Sequence, residues 1–385
     1  MKSSFSIIYP AIILISLLGF NDNSFSWSLI DIFDNRSVRD NKIEKNSETS
    51  TRTDYTFFIP PLSNKTLFEA INDLSICRRD DVRKFIYQYM TKGRRFLIGA
   101  IRRSILYHDI IAKIFNNNKN IPKDISLLPL LESGFNPYAV SRSNAVGLWQ
   151  FLRMTSTLLG LKTDIWVDER RDIEKSTIAA IRHLKNLYKN FKSWELALAA
   201  YNGGAGHVKR AMQRSRAGDL WELIKSGVLK KETEEYVPRM AALLVIYKNQ
   251  QLFNIKDEIF PSSIAETENI VLKYPVNIND VLRLSGVPIS TIKRYNPELK
   301  RNRTPPYYLN YSIRLPVDAK ERLKSNRKKL YKFKFSRVKR HTVKKGECII
   351  KIARRYKTKA KMIIILNDIK KPSLIRPGQR LYIPI

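Results

Sequence analysis

Residues 121–137 read Ile121-Pro-Lys-Asp-Ile-Ser-Leu-Leu-Pro-Leu-Leu-Glu132-Ser-Gly-Phe-Asn-Pro137. Pro122 suits the first turn of a helix, where its missing N–H has no partner to lose, and Asn120 stands where a cap belongs. Ile125, Leu127, Leu128, Leu130 and Leu131 lead into Glu132, and Gly134 and Pro137 end the run. The pattern predicts a short, largely buried helix with Glu132 at its C-terminal end. A carboxylate there faces the negative end of the helix dipole and loses hydration. Both effects raise its pKa, as a general acid working near neutral pH requires.

Outward from this stretch, helical spacing continues over 174–191, 194–201 and 231–247, with no strand pattern of useful length. Residues 121–250 therefore read as one all-α domain. Upstream, residues 55–120 form an N-terminal helical region. Phe85, Ile86, Tyr89 and Met90 recur at spacings of three and four, as do Phe96, Ile98, Ile101, Ile105 and Ile110. Downstream, residues 251–337 change character. Short strands at 271–275 and 312–316 flank a helical middle at 278–295, and a basic run over 320–334 reads as a linker or a solvated helix face. Residues 338–385 are compact: a strand at His341-Thr342-Val343, helical spacing over 349–356 and 360–366, a Pro377-Gly378 turn and a closing strand at 380–383. That is β-α-α-β.

The N-terminus narrows the compartment. Lys2 precedes an apolar run through Phe20, and Ser24-Phe25-Ser26 offers small residues for cleavage, so residues 1–26 read as a signal peptide. Residues 27–54 are polar and poor in aromatics, which predicts a flexible linker. No cysteine follows the apolar run, so a lipoprotein anchor is not expected. Cys77 and Cys348 fall in different predicted domains, which argues against a disulfide. His108, His183, His207 and His341 are scattered, and no metal-ligand spacing occurs; neither metal nor cofactor is expected. With 70 Lys and Arg against 35 Asp and Glu, the formal charge is +35, so anionic partners are favoured. Charge alone does not choose among nucleic acid, phospholipid and wall polymer.

Four clusters carry chemistry: Leu131 to Pro137; Ala145-Val146-Gly147-Leu148-Trp149-Gln150-Phe151; Ala199-Ala200-Tyr201-Asn202-Gly203-Gly204; and Glu234-Glu235-Tyr236-Val237-Pro238. Together they supply what a carbohydrate cleft needs. One buried carboxyl protonates a glycosidic oxygen. Gln150 and Asn202 offer paired donors and acceptors. Trp149, Tyr201 and Tyr236 offer flat apolar faces for sugar rings. Each cluster alone has an ordinary packing explanation; all four in this order are harder to explain so.

The region resembles the soluble-lytic-transglycosylase domain of the lysozyme-like superfamily, whose Glu-Ser-Gly, Gly-Leu-Met-Gln and Ala-Tyr-Asn-Ala-Gly motifs correspond to Glu132-Ser133-Gly134, Gly147-Leu148-Trp149-Gln150 and Ala200-Tyr201-Asn202-Gly203-Gly204. Trp149 replaces the usual Met, and Gly203-Gly204 replaces Ala-Gly. The resemblance implies a lysozyme-like all-α fold with Glu132 as the single catalytic acid and base. It implies that Ser133, Ser141, Ser143, Gln150, Tyr201, Asn202 and Tyr236 bind the N-acetyl sugars. The tail is similar to a LysM domain, with His341 to Glu347, Leu366-Asn367 and Ile375 to Leu381 as the match; Glu347-Cys348 stands where the family has Asp-Thr or Asp-Ser. This implies a glycan site built from Gly346, Glu347, Asn367 and Ile375. The order of segments resembles the membrane-bound lytic murein transglycosylase D type, with 251–337 as a degenerate LysM-like unit. The fold class expected is thus mainly α, ending in a small βααβ domain, and the partner expected is peptidoglycan, with anionic envelope surfaces for the excess charge.

A glycosidase that holds water or a glycosyl intermediate needs a second carboxylate. Asp168, Glu169 and Asp172 are interleaved with Arg170 and Arg171 and read as salt-bridged surface or a helix start; Glu234 and Glu235 are weak second candidates. With one acid, the family resemblance implies transfer to the substrate's own C6 hydroxyl, giving 1,6-anhydro ends. Lysozyme-type hydrolysis by Glu132 and a non-catalytic wall-binding protein stay open as alternatives. A nucleic-acid binder has only charge in its favour, as no such motif appears.

Overall fold

The computed structural model describes residues 65–259, 265–330 and 337–385. The expected signal peptide and linker lie outside the described residues. Among those described, no helix is long and apolar enough to cross a membrane.

The chain is mainly helical. Thr66 and Glu69 form a capping box at the start of α1 (Leu67–Asn72). Next come α2 (Asp80–Met90) and the long α3 (Arg94–Asn116). The helix expected from Pro122 is divided. A 3-10 turn covers Lys123–Leu127, and a separate single-turn helix, α4 (Pro129–Ser133), carries Glu132. Pro129 has no N–H to give Ile125, so the α ladder cannot run through; Leu128 N–H takes the Ile125 carbonyl instead, at 3.0 Å.

After α5 (Arg153–Leu158), α6 (Ile173–Phe191) is capped by Asp172 and α7 (Trp194–Gly203) by Ser193, each accepting from the backbone N–H of the third residue of its helix. Then follow α8 (Ala205–Ser215), α9 (Leu220–Lys225) and α10 (Lys231–Lys248). Every residue from Met240 to Ile246 is buried, so these two turns of α10 are enclosed on all sides, while Lys231, Glu232 and Lys248 at its ends are exposed. One core runs from Leu67 to Ile255 and joins the N-terminal helices to those around Glu132.

Two βααβ units follow. In the first, β1 (Thr267–Leu272) pairs antiparallel with β2 (Tyr311–Pro316), Thr267 opposite Pro316 and Leu272 opposite Tyr311. The first strand lies earlier than the 271–275 expected, and Pro275, which cannot donate to a ladder, falls beyond the pairing. The helical middle is two helices, α11 (Ile278–Ser285) and α12 (Ile289–Tyr295), parted by Gly286 at φ +74° and Pro288. The basic run is no loose linker at its start: in α13 (Val317–Ser325), Ala319 and Leu323 join the core of this unit. In the second unit, β3 (Val338–Thr342) pairs with β4 (Arg380–Pro384) around α14 (Ile349–Arg355) and α15 (Ala360–Leu366), over a separate core that includes Ile352, Ile363 and Ile383.

Candidate active site

Glu132 sits in α4 beneath α10, and the Tyr236 hydroxyl of that helix donates to its Oε1. Burial pushes the Glu132 carboxyl up to about 7; the Tyr236 hydrogen bond opposes the rise and the nearby Glu232 carboxylate adds to it. The expected direction is found, and desolvation is its main cause. A one-turn helix has little dipole to contribute. Arg103 Nε donates to the Gly134 carbonyl at 2.7 Å and ties the turn after Glu132 to α3.

Ser133 Oγ donates to the Leu148 carbonyl at 3.0 Å, so the residue after the carboxylate fastens the first cluster to the second. That second cluster is not helical. Residues 139–151 fold back on themselves through single bridges, Val140 with Val146 and Val146 with Phe151. Ser141 Oγ accepts from Ala145 N–H at 3.0 Å inside this turn, and Ser143 is exposed beside it. Gln150, at φ +48°, donates through Nε2 to the Gly147 carbonyl at 2.9 Å.

Trp149 is not a sugar platform. Its ring is fully enclosed, stacked at 6.1 Å on Phe115, and its Nε1 donates to Thr177 Oγ1 at 3.0 Å. Tyr201, on α7, is partly exposed and donates to the Trp149 carbonyl at 2.7 Å; its ring lies 5.5 Å from that of His183. Burial and the Glu132 carboxyl hold the hydroxyls of both Tyr201 and Tyr236 well above the ordinary phenol range, so both remain donors. Asn202 accepts from Thr233 Oγ1 at 2.9 Å and donates to Glu232 Oε1 at 3.3 Å.

Sequence reasoning missed Glu232. It precedes Tyr236 by four positions on α10, and that spacing puts both on one helix face. Glu235 instead turns to Arg239, at 2.5 Å. The acidic stretch 168–172 also differs from the surface expected. Asp168, Glu169 and Arg170 are buried, with Arg170 gripping Asp168 through two bonds of 2.9 and 2.8 Å, while Asp172 does start a helix.

In the second βααβ unit, Gly346 is exposed at φ +79°. Glu347 faces inward: it accepts from Lys344 N–H and meets His341 Nε2, both at 2.8 Å, and pairs with Arg355. These partners hold its carboxyl down at about 2. Asn367 exchanges two bonds with the Tyr382 backbone, at 2.6 and 2.7 Å, and stitches α15 to β4. Ile375 packs on the core of the unit. The large apolar side chains left exposed in this unit are Ile350 and Leu374, which the sequence reading passed over.

The Transglycosylase SLT domain family matches residues 109–224, the LysM-like domain of lytic transglycosylase MltD matches 266–332, and the LysM domain matches 341–384. Membrane-bound lytic murein transglycosylase D of Escherichia coli K12 is 32% identical over 326 residues, covering 80% of this chain and 70% of that protein. A putative tributyltin chloride resistance protein of Alteromonas is 39% identical over 95 residues, 24% of this chain and 46% of its own. Membrane-bound lytic murein transglycosylase F of Desulfosudis oleivorans is 29% identical over 171 residues, 40% of this chain and 33% of its own. This chain belongs to the membrane-bound lytic murein transglycosylase D family and is a lytic transglycosylase.

Proposed function

We propose that the chain cleaves the bond between N-acetylmuramic acid and N-acetylglucosamine in peptidoglycan, with Glu132 as its single acid and base. What supports this most is the Glu132 carboxyl itself: half-buried as a residue but with its carboxyl desolvated, raised to about 7 and held by the Tyr236 hydroxyl, it is substantially protonated near neutral pH. The carboxyl gives its proton to the glycosidic oxygen as the bond from C1 to that oxygen breaks. The substrate's acetamido oxygen stabilises the positive charge at C1. Glu132, now a carboxylate, takes the proton of the C6 hydroxyl while O6 bonds to C1. The products are a free 4-hydroxyl and a 1,6-anhydro end, and no water is consumed.

Ser141, Ser143, Gln150, Tyr201, Asn202 and Tyr236 belong to the walls of the cleft in this reading. Ser133 holds the first cluster to the second. The catalytic part is residues 121–250, supported by 55–120, and the LysM unit at 338–385 binds glycan strands through the Gly346 and Asn367–Ile375 side. Residues 1–26 direct export to the periplasm or cell envelope. That agrees with the membrane-bound relatives, and the +35 charge favours anionic envelope surfaces.

The test is mass spectrometry of soluble products released from purified peptidoglycan, with Glu132→Gln as control. Anhydro-muropeptides from the wild type alone are expected. Products heavier by the mass of water, with reducing ends, would make the reaction hydrolysis; cleavage surviving in Glu132→Gln would remove that residue from the chemistry.

A further inference from the structure

The two βααβ units invite comparison, because the same connections recur in both. The connections at 343–348 and 367–379 in the second unit correspond to 273–277 and 296–310 in the first. The second unit presents its pair to solvent at Gly346 and Leu374. In the first unit the longer connection is covered by the catalytic part of the chain.

The cover is residues 162–170. Asp168 N–H donates to the Glu298 carbonyl and Lys300 N–H to the Trp166 carbonyl, both at 2.9 Å, with Val167 bridged to Leu299 between them. Val167 is fully enclosed and belongs to the core of the βααβ unit, not to the helical core around Glu132. Tyr307 donates to Asp164, and Lys162 Nζ lies 3.5 Å from the centre of the Tyr307 ring. A second set of contacts reaches the last turn of α12: Tyr138 donates to the Lys293 carbonyl at 2.8 Å and Tyr107 to the Arg294 carbonyl at 3.2 Å. This strip is backbone-paired and apolar at its centre, as a permanent interface is.

From the covered strip a short path leads to the cleft. Asp168 is held by Arg170, whose Nη1 donates to the carbonyls of Asn144, at 3.1 Å, and Phe151, at 3.3 Å. Those carbonyls belong to the 139–151 turn, and the Arg170 carbonyl lies directly against Gly147 of the same turn.

We infer that the first βααβ unit is an intramolecular clamp: its connection 296–310, on the side where its C-terminal counterpart meets solvent, takes residues 162–170 of its own chain instead of a glycan, and so positions the 139–151 cleft wall. The positioning role rests on the proposed cleft at Glu132; the occupancy of the connection does not.

The test uses the full chain and two variants. Val167→Asp puts a carboxylate into the core of the unit, and Tyr138→Phe removes only one of the two hydroxyls that hold α12. Amide hydrogen exchange is followed with and without a soluble N-acetylglucosamine oligomer, beside wall sedimentation and product release. In Val167→Asp, amides of the 139–151 turn should exchange roughly tenfold faster or more. Product release should fall about tenfold, as misplacement of a cleft wall costs rate, while wall sedimentation stays. Tyr138→Phe should move exchange and release in the same direction, by less. The oligomer should protect 343–348 and 367–379 and leave 296–310 unchanged. Protection at 296–310 would overturn the clamp. So would a folded Val167→Asp protein with wild-type exchange and release. If Val167→Asp does not fold, wild-type exchange of the turn in Tyr138→Phe would overturn it instead. Since exchange is read without turnover, failure of the Glu132 chemistry would show separately, as cleavage by Glu132→Gln.

Discussion

At the scale of the residue, the pair formed by Glu132 and Tyr236 decides the pH response. In the proposed mechanism product release needs the protonated carboxyl, whose pKa desolvation sets at about 7, so the rate should fall as pH rises through that value. The Tyr236 hydroxyl favours the carboxylate by donating to it. In Tyr236→Phe the carboxyl loses that donor and its pKa rises further. The descending limb of the pH–rate profile should therefore move to higher pH while the maximal rate drops, and a limb that stays in place would refute the pairing. Glu132 could be picked out from its own neighbours, because an acid following five apolar residues and preceding Ser-Gly is unusual. Trp149 could not. Sequence shows an aromatic ring next to a polar Gln150, and only packing against Phe115 and the bond to Thr177 reveals that the ring faces inward.

Among elements, the turn 139–151 matters most. Gly147 has φ +86°, and a Cβ built there would stand 2.1 Å from the Arg170 carbonyl oxygen. Gly147→Ala thus adds a steric clash with backbone to an unfavourable backbone conformation, and should cost more than about 1 kcal/mol. Thermal melting checks this: an unchanged midpoint would mean that the turn relaxes without cost. The Gly-Leu-Trp-Gln stretch has apolar residues at spacings that suit a helix equally well, and its sharp reversal depends on Arg170, which lies twenty residues from Gln150. For the same reason the acidic stretch 168–172 passed as surface: charges are normally solvated, and the bidentate Asp168–Arg170 pair that allows burial is a matter of geometry.

In the whole molecule, the contact between the catalytic part and the first βααβ unit carries an ionisable load. Burial, and then the neighbouring Asp172 carboxyl, hold Glu298 well above the ordinary carboxylate range, although Tyr311 donates to it at 2.8 Å. A carboxyl whose folded pKa is raised adds stability that is complete below its unfolded pKa and is lost as pH rises through the folded one. The native protein should therefore weaken on going from acid into mildly alkaline pH. Glu298→Gln, which keeps an acceptor for Tyr311 and cannot ionise, should flatten that decline. Denaturant unfolding at pH 5 and about pH 9 measures it; equal slopes for variant and wild type would remove Glu298 as the cause.

The sequence by itself determined the helical class, the terminal βααβ pattern, the presence of strands around a helical middle in the segment before it, and the order of the four clusters, because hydrophobic period and turn residues are local properties of the chain. Tertiary structure alone decided that the helix before Glu132 breaks at Pro129, that Trp149 belongs to the core, and that Val167 fills a core formed mostly by residues more than a hundred positions later. These depend on which surfaces meet and lose water together, and no local pattern in the chain encodes that.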